Sequence, residues 1–137
     1  MKNLIVAVWS IFLLASCSSP SSNEAPPPAA SPYNPPSWIH GTWGYTAVGN
    51  SPSQPLYKFS ADNVCQLTSV QTICWKEGIN TNPQGLSGSE TITGDTYTCS
   101  LSGGGTNITL MFKKVSVTKI LWITNSSGGG STLEKLN

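Results

Sequence analysis

The sequence predicts an all-β protein: a small antiparallel barrel of about eight strands, with a β-sandwich as the alternative arrangement. Three observations predict it. From Trp38 onward the chain is a series of short runs rich in Thr, Val, Ile, Tyr and Trp. Clusters of Gly, Pro, Asn, Asp and Ser punctuate those runs. No window of about eleven residues gathers its apolar side chains on one helical stripe.

Taken in order, "WIHGTWGYTA" opens the series and the breaker cluster "GNSPSQP" closes that run. "LYKFSA" and "VCQLT" flank a turn at Asp62-Asn63, and "TICWK" runs into the Gly, Asn and Pro of "EGINTNPQGLSG". "SETIT" and "TYTCSL" flank Gly94-Asp95. "NITLMFK" follows "SGGGT", "KILWIT" follows "KVSVT", and "STLEKL" follows "NSSGGG". Side chains of a strand alternate between its two faces. Tyr97, Cys99 and Leu101 therefore share one face, as do Ile108, Leu110 and Phe112, and Tyr57 with Phe59. These are the expected inward positions.

The cysteines add a constraint. Placing Ser69 and Val70 in a two-residue turn sets Thr68 opposite Gln71 and Cys65 opposite Cys74. Directly opposed strand residues bring their Cβ atoms to ~4.5–5.5 Å, close to disulfide range. A Cys65–Cys74 bridge is expected, with Cys99 left free on the apolar face. Ser-Val is a poor sequence for so tight a turn, and a longer loop would shift the register and bring Cys99 into the pairing. No zinc-like ligand spacing occurs and the only histidine is His40, so no metal and no cofactor is expected.

The first residues read differently. Lys2 precedes a run from Leu4 to Leu14 that is apolar except for Ser10. A charged start, a short apolar run and small residues at its end describe a secretory signal. The run is too short to span a bilayer, which takes ~20 apolar residues. Leu14-Ala15-Ser16-Cys17 resembles the lipobox of bacterial lipoproteins. That resemblance implies cleavage before Cys17, diacylglycerol on its thiol, and acylation of the new amine. Several acyl chains anchor far more firmly than one. Lipoproteins held at the inner membrane often carry aspartate after the cysteine; here Ser18 follows, so the resemblance implies the outer membrane in a host with two membranes.

Three segments follow from this reading: a signal peptide over 1–16, a lipidated Cys17 with a Pro/Ser-rich tether over 17–37, and a globular β domain over 38–137. The tether, "SSPSSNEAPPPAASPYNPPS" after the cysteine, has no apolar period and is expected to stay extended and disordered. Beyond residue 16 the chain carries six lysines, no arginine and six carboxylates. Such a neutral chain lacks the electrostatic footprint of a nucleic-acid binder.

A second resemblance spans the β domain. "GTW" at Gly41 to Trp43, then "YKFSADNV", "TYTCSL", "ITLMFKK" and a terminal "LEKL", is similar to the short lipocalin-like lipoproteins of bacteria. The resemblance implies an up-and-down barrel whose base Trp43 closes, covered in that family by an arginine from a late strand. Here that cover is missing or replaced by lysine. It also implies a small apolar ligand among Trp43, Tyr57, Phe59, Trp75, Tyr97 and Phe112. Short strands leave little room, however, and side chains alone can fill an eight-stranded interior.

No nucleophile is paired with His40, the carboxylates fall mostly at turns, and the glycine runs precede no phosphate-binding helix. The chain is therefore read as a non-enzyme. It is expected to be a membrane-anchored envelope protein binding a small apolar ligand, or one acting through protein contacts as a structural, adhesive or inhibitory element.

Overall fold

The computed structural model describes residues 30–137. Cys17, the expected signal peptide and most of the expected tether lie outside the described residues. Nine strands form one antiparallel sheet: β1 (Gly41–Tyr45), β2 (Gln54–Ser60), β3 (Asn63–Leu67), β4 (Thr72–Cys74), β5 (Leu86–Thr93), β6 (Thr96–Gly103), β7 (Thr106–Lys114), β8 (Lys119–Ile123) and β9 (Gly130–Leu136). Their order across the sheet is β4-β3-β2-β1-β9-β8-β7-β6-β5. The chain starts in the middle at β1, winds out to one edge, crosses to the other, and winds back until β9 lies beside β1. The sheet curls into a half-barrel, so the all-β, barrel-like expectation holds and one continuous sheet replaces the sandwich alternative.

Alternation places the core. Tyr57, Phe59, Tyr97, Cys99, Leu110 and Phe112 are all buried on the concave face, joined by Trp43, Val64, Ile120 and Leu133. Rings meet edge to face, the geometry their quadrupoles favour. Phe59 and Tyr57 each lie 5.1 Å from Phe112, and Tyr97 lies 6.0 Å from Phe59.

Four expectations need correction. "TICWK" is not a single strand. β4 stops at Cys74, and Trp75 opens a helix, α1 (Trp75–Thr81). The preceding hairpin imposes this. Asn63 Oδ1 accepts the N–H of Lys76 at 3.1 Å, and its amide donates to Glu77 Oε2 at 2.7 Å. Lys76 also pairs with Asp62. One orphan donor of the first helical turn, the Lys76 N–H, is thus satisfied by a residue thirteen positions away in sequence, where a local cap would ordinarily serve. Asn63 itself begins β3, so the turn is Ala61-Asp62.

The packed domain also begins before residue 38. Tyr33 is 1% exposed, its hydroxyl donates to Ser100 O at 2.8 Å, and its ring lies 5.7 Å from that of Trp75. The Asn34 N–H donates to Glu90 Oε2 at 2.9 Å. Gly88 makes this possible: a Cβ there would sit 2.4 Å from the Tyr33 hydroxyl. Last, residues Ser37–Ile39 form a 3-10 turn, so the first strand starts at Gly41.

Candidate functional site

The two ends of the half-barrel differ. At one end Trp43 is fully buried and donates its Nε1 hydrogen to Ile39 O at 2.6 Å. Lys135, its direct neighbour across the β1–β9 ladder, places Nζ 5.7 Å from the indole centroid, within cation–π range. Gly41 leaves room for the lysine stem, since a Cβ there would come 2.6 Å from Lys135 Cε. The cover over the tryptophan is thus a lysine. The second and third residues of Gly-x-Trp belong to the fold, and the first belongs to the lysine.

The opposite end carries the β1–β2 loop, the β3–β4 turn and the β8–β9 loop. Val48 and Ser51 exchange backbone hydrogen bonds at 3.1 and 3.0 Å around Gly49, whose φ is +58°. Prolines at 52 and 55 then keep the strand entrance extended. The β3–β4 turn is the tight Ser69-Val70 turn of the sequence reading. Thr68 holds it by accepting the Gln71 N–H on Oγ1 at 3.1 Å and donating to Gln71 O at 2.9 Å. In that register Cys65 faces Cys74 and the two form the disulfide, with Cα atoms 4.0 Å apart.

Between these elements lie two adjoining clefts. One, of about 430 Å³, lies between Ser51–Pro55 and Leu67–Ser69. The other, of about 220 Å³, is lined by Leu56, Tyr57, Gln66, Leu67, Thr68 and Trp122. Leu67 and Thr68 belong to both. Trp122 is half-buried, and its ring stands at 69° to that of Tyr57 with centroids 5.3 Å apart. No lysine, carboxylate or histidine lines either cleft. Burial pushes the Tyr57 phenol up to about 12, so it too is neutral in ordinary conditions. A third depression of about 350 Å³ lies on the outer face, between Thr109, Met111, Ile123 and the β8–β9 loop.

Of the six side chains expected around a ligand, Tyr57, Phe59, Tyr97 and Phe112 pack on one another inside the sheet. Trp43 packs between Ile39 and Lys135, and Trp75, the first residue of α1, packs against Tyr33. Only Tyr57 also reaches an open cleft. Trp122, Gln66, Leu67 and Thr68 were not among the residues expected there. The alternation of "KILWIT" and the opposition of Gln66 to Tyr57 were the available signals.

Cys99 is free and buried, and burial pushes its thiol up to about 12. Among the described residues no group of three or more His, Cys, Asp or Glu side chains is placed to hold a metal ion, and no helix is long and apolar enough to cross a membrane. No protein-family model, curated protein or solved structure matches the chain.

Proposed function

We propose that the chain is a lipid-anchored envelope protein whose half-barrel serves as a non-catalytic, lipocalin-like binding module. Its ligand site lies at the open rim. Lipidation at Cys17 rests on the signal sequence and the Leu-Ala-Ser-Cys motif. The single observation that supports ligand binding is the half-buried Trp122 set beside Tyr57 in a cleft at the loop-bearing end. With rings filling the concave face, a small ligand with an apolar side fits there better than among Phe59, Tyr97 and Phe112. Pockets of this kind combine an aromatic wall with a few polar groups that orient the occupant.

Two measurements test the two halves of this reading. Cys17→Ser should leave the precursor uncut before residue 17 and free of acyl chains by mass spectrometry. An unchanged, acylated product would reject the anchor. Native mass spectrometry of protein from its own host should show a retained small molecule, displaced in Trp122→Ala. Empty protein at every purification step would instead favour the protein-contact alternative. An outer face of neutral hydroxyls supports that alternative, with Ser87, Ser89, Thr91 and Thr93 exposed along the edge strand β5.

A further inference from the structure

The rim clefts carry chemistry more specific than "small ligand". We infer that together they form a binding groove for a neutral oligosaccharide; this rests on the rim-site reading above and narrows its ligand class.

A phosphate or carboxylate ligand needs a cation or a fork of donors. None of the side chains lining either cleft carries a positive charge. A cationic ligand lacks a carboxylate there in the same way. A purely apolar chain would find ring surface at Trp122 and Tyr57 and then run onto the exposed Ser51, Ser53 and Ser69. Desolvating those hydroxyls without replacing their hydrogen bonds opposes binding. The larger of the two clefts is thus the wrong surface for a lipid tail.

A sugar ring meets both demands. Its C–H face packs on an aromatic wall, and its equatorial hydroxyls trade hydrogen bonds with neutral hydroxyls and amides. Trp122 supplies the wall. Gln66, directly opposite Tyr57 in the β2–β3 ladder, brings a carbonyl and an amine to the same cleft. Ser53 and Gln54 supply further donors and acceptors in the adjoining one. Thr68 sits at the junction, but its hydroxyl is already committed to the β3–β4 turn, so it shapes the groove without binding. At about 430 Å³ the larger cleft falls within the ~300–1,000 Å³ of small-molecule sites, and the smaller, at about 220 Å³, adds to it only as part of one groove. Their shared border at Leu67 makes an extended occupant of two or three rings a better match than one ring.

The test titrates the full-length lipidated protein, held in nanodiscs, with chitotriose and cellotriose by isothermal calorimetry, with empty discs as the blank. At least one trisaccharide should bind, and Trp122→Ala should weaken it tenfold or more. Because Trp122 also packs on Tyr57, Gln66→Leu and Ser53→Ala serve as second variants; each should weaken binding severalfold with unchanged circular dichroism. N-phenyl-1-naphthylamine fluorescence separates this proposal from the reading beneath it. If that apolar probe binds the protein and neither sugar does, the saccharide assignment falls and the rim site stands. If neither sugar nor apolar probe binds, both fall. Sugar binding that survives all three substitutions would place the site elsewhere and overturn the proposal.

Discussion

The β6–β7 ladder and the seam between β4 and β5 solve the same problem by different means. In the ladder, eight consecutive residue pairs run from Thr96 opposite Lys113 to Gly103 opposite Thr106. Every second residue points inward, and a short glycine turn connects the strands. At the seam, the two edge strands are not hydrogen-bonded to each other. A seven-residue helix and the Tyr33 segment stand there instead. The ladder is held by neighbours in sequence. The seam is held by contacts such as Tyr33 to Ser100, separated by 67 positions. One region is written in a local period, and the other only exists once the rest has folded.

The largest expected effect acts on both regions at once. Burial raises Tyr57 and Cys99 to about 12 from ordinary values of 10.0 and 9.0, and it raises Tyr97 and Tyr33 as well. A folded-state pKa above the unfolded one favours folding while the group is protonated. This contribution is complete below the unfolded values and is lost as pH climbs from there toward the folded ones. Stability should therefore fall steeply between pH ~9 and ~12, with tyrosinate absorbance rising in the same step as the loss of strand circular dichroism. Ionisation of Tyr33, Tyr57 or Tyr97 well before the sheet unfolds would contradict the burial of these rings.

Next comes the ladder alone. Phe112→Ala removes a ring that touches Tyr57 and Phe59 from the centre of the core. Such truncations cost about 3–5 kcal/mol, a large part of the ~5–15 kcal/mol available to a small domain. Urea melts should show a lower midpoint and a single transition. A loss below about 1 kcal/mol would mean that the concave face is not close-packed.

At the seam, a chain beginning at Ser37 should be less stable than one beginning at Ala30. It loses the burial of Tyr33, worth about 2–3 kcal/mol for a large side chain, and opens the notch over Gly88. Tyr33→Ala in the longer chain should reproduce most of the deficit. Equal thermal midpoints for the two starting points would restore residue 38 as the domain boundary and make the Tyr33 contact incidental.

These regions also differ in how readable they were. The inward faces of β2, β6 and β7, the Cys65–Cys74 register and the free Cys99 followed from alternation and a turn length, because each is fixed within about ten residues of chain. Tyr33 sat in a Pro/Ser-rich stretch with no apolar period, so nothing nearby announced that a glycine in β5 would receive its ring. Helix α1 was equally silent, being shorter than any window in which a helical period can be seen, and its cap comes from Asn63. The rim clefts depend on the β1–β2 loop meeting the β3–β4 turn, which spacing along one strand does not encode. Alternation alone does not distinguish a core ring from a rim ring such as that of Trp122.

The smallest effect compares two tryptophans, one from each kind of region. Trp43 and Trp75 are both almost wholly buried, at 0% and 1% exposure, so area alone gives them equal weight. Their indole N–H groups differ. That of Trp43 donates to Ile39 O, whereas Nε1 of Trp75 is buried with no hydrogen-bond partner among the described residues. Replacing each by Phe removes the N–H and part of the ring. At Trp43 the change also strands the Ile39 carbonyl and takes the indole from beneath Lys135. At Trp75 it removes a donor whose burial already opposes folding. An unmet buried polar group costs ~1–3 kcal/mol, and a typical made bond contributes ~1 kcal/mol. Trp75→Phe should thus be milder than Trp43→Phe by about 1–2 kcal/mol, read from urea midpoints at equal slope. If the two cost the same, or Trp75→Phe costs more, then a water bound at the seam satisfies Nε1, and the seam is a hydrated junction rather than a dry one.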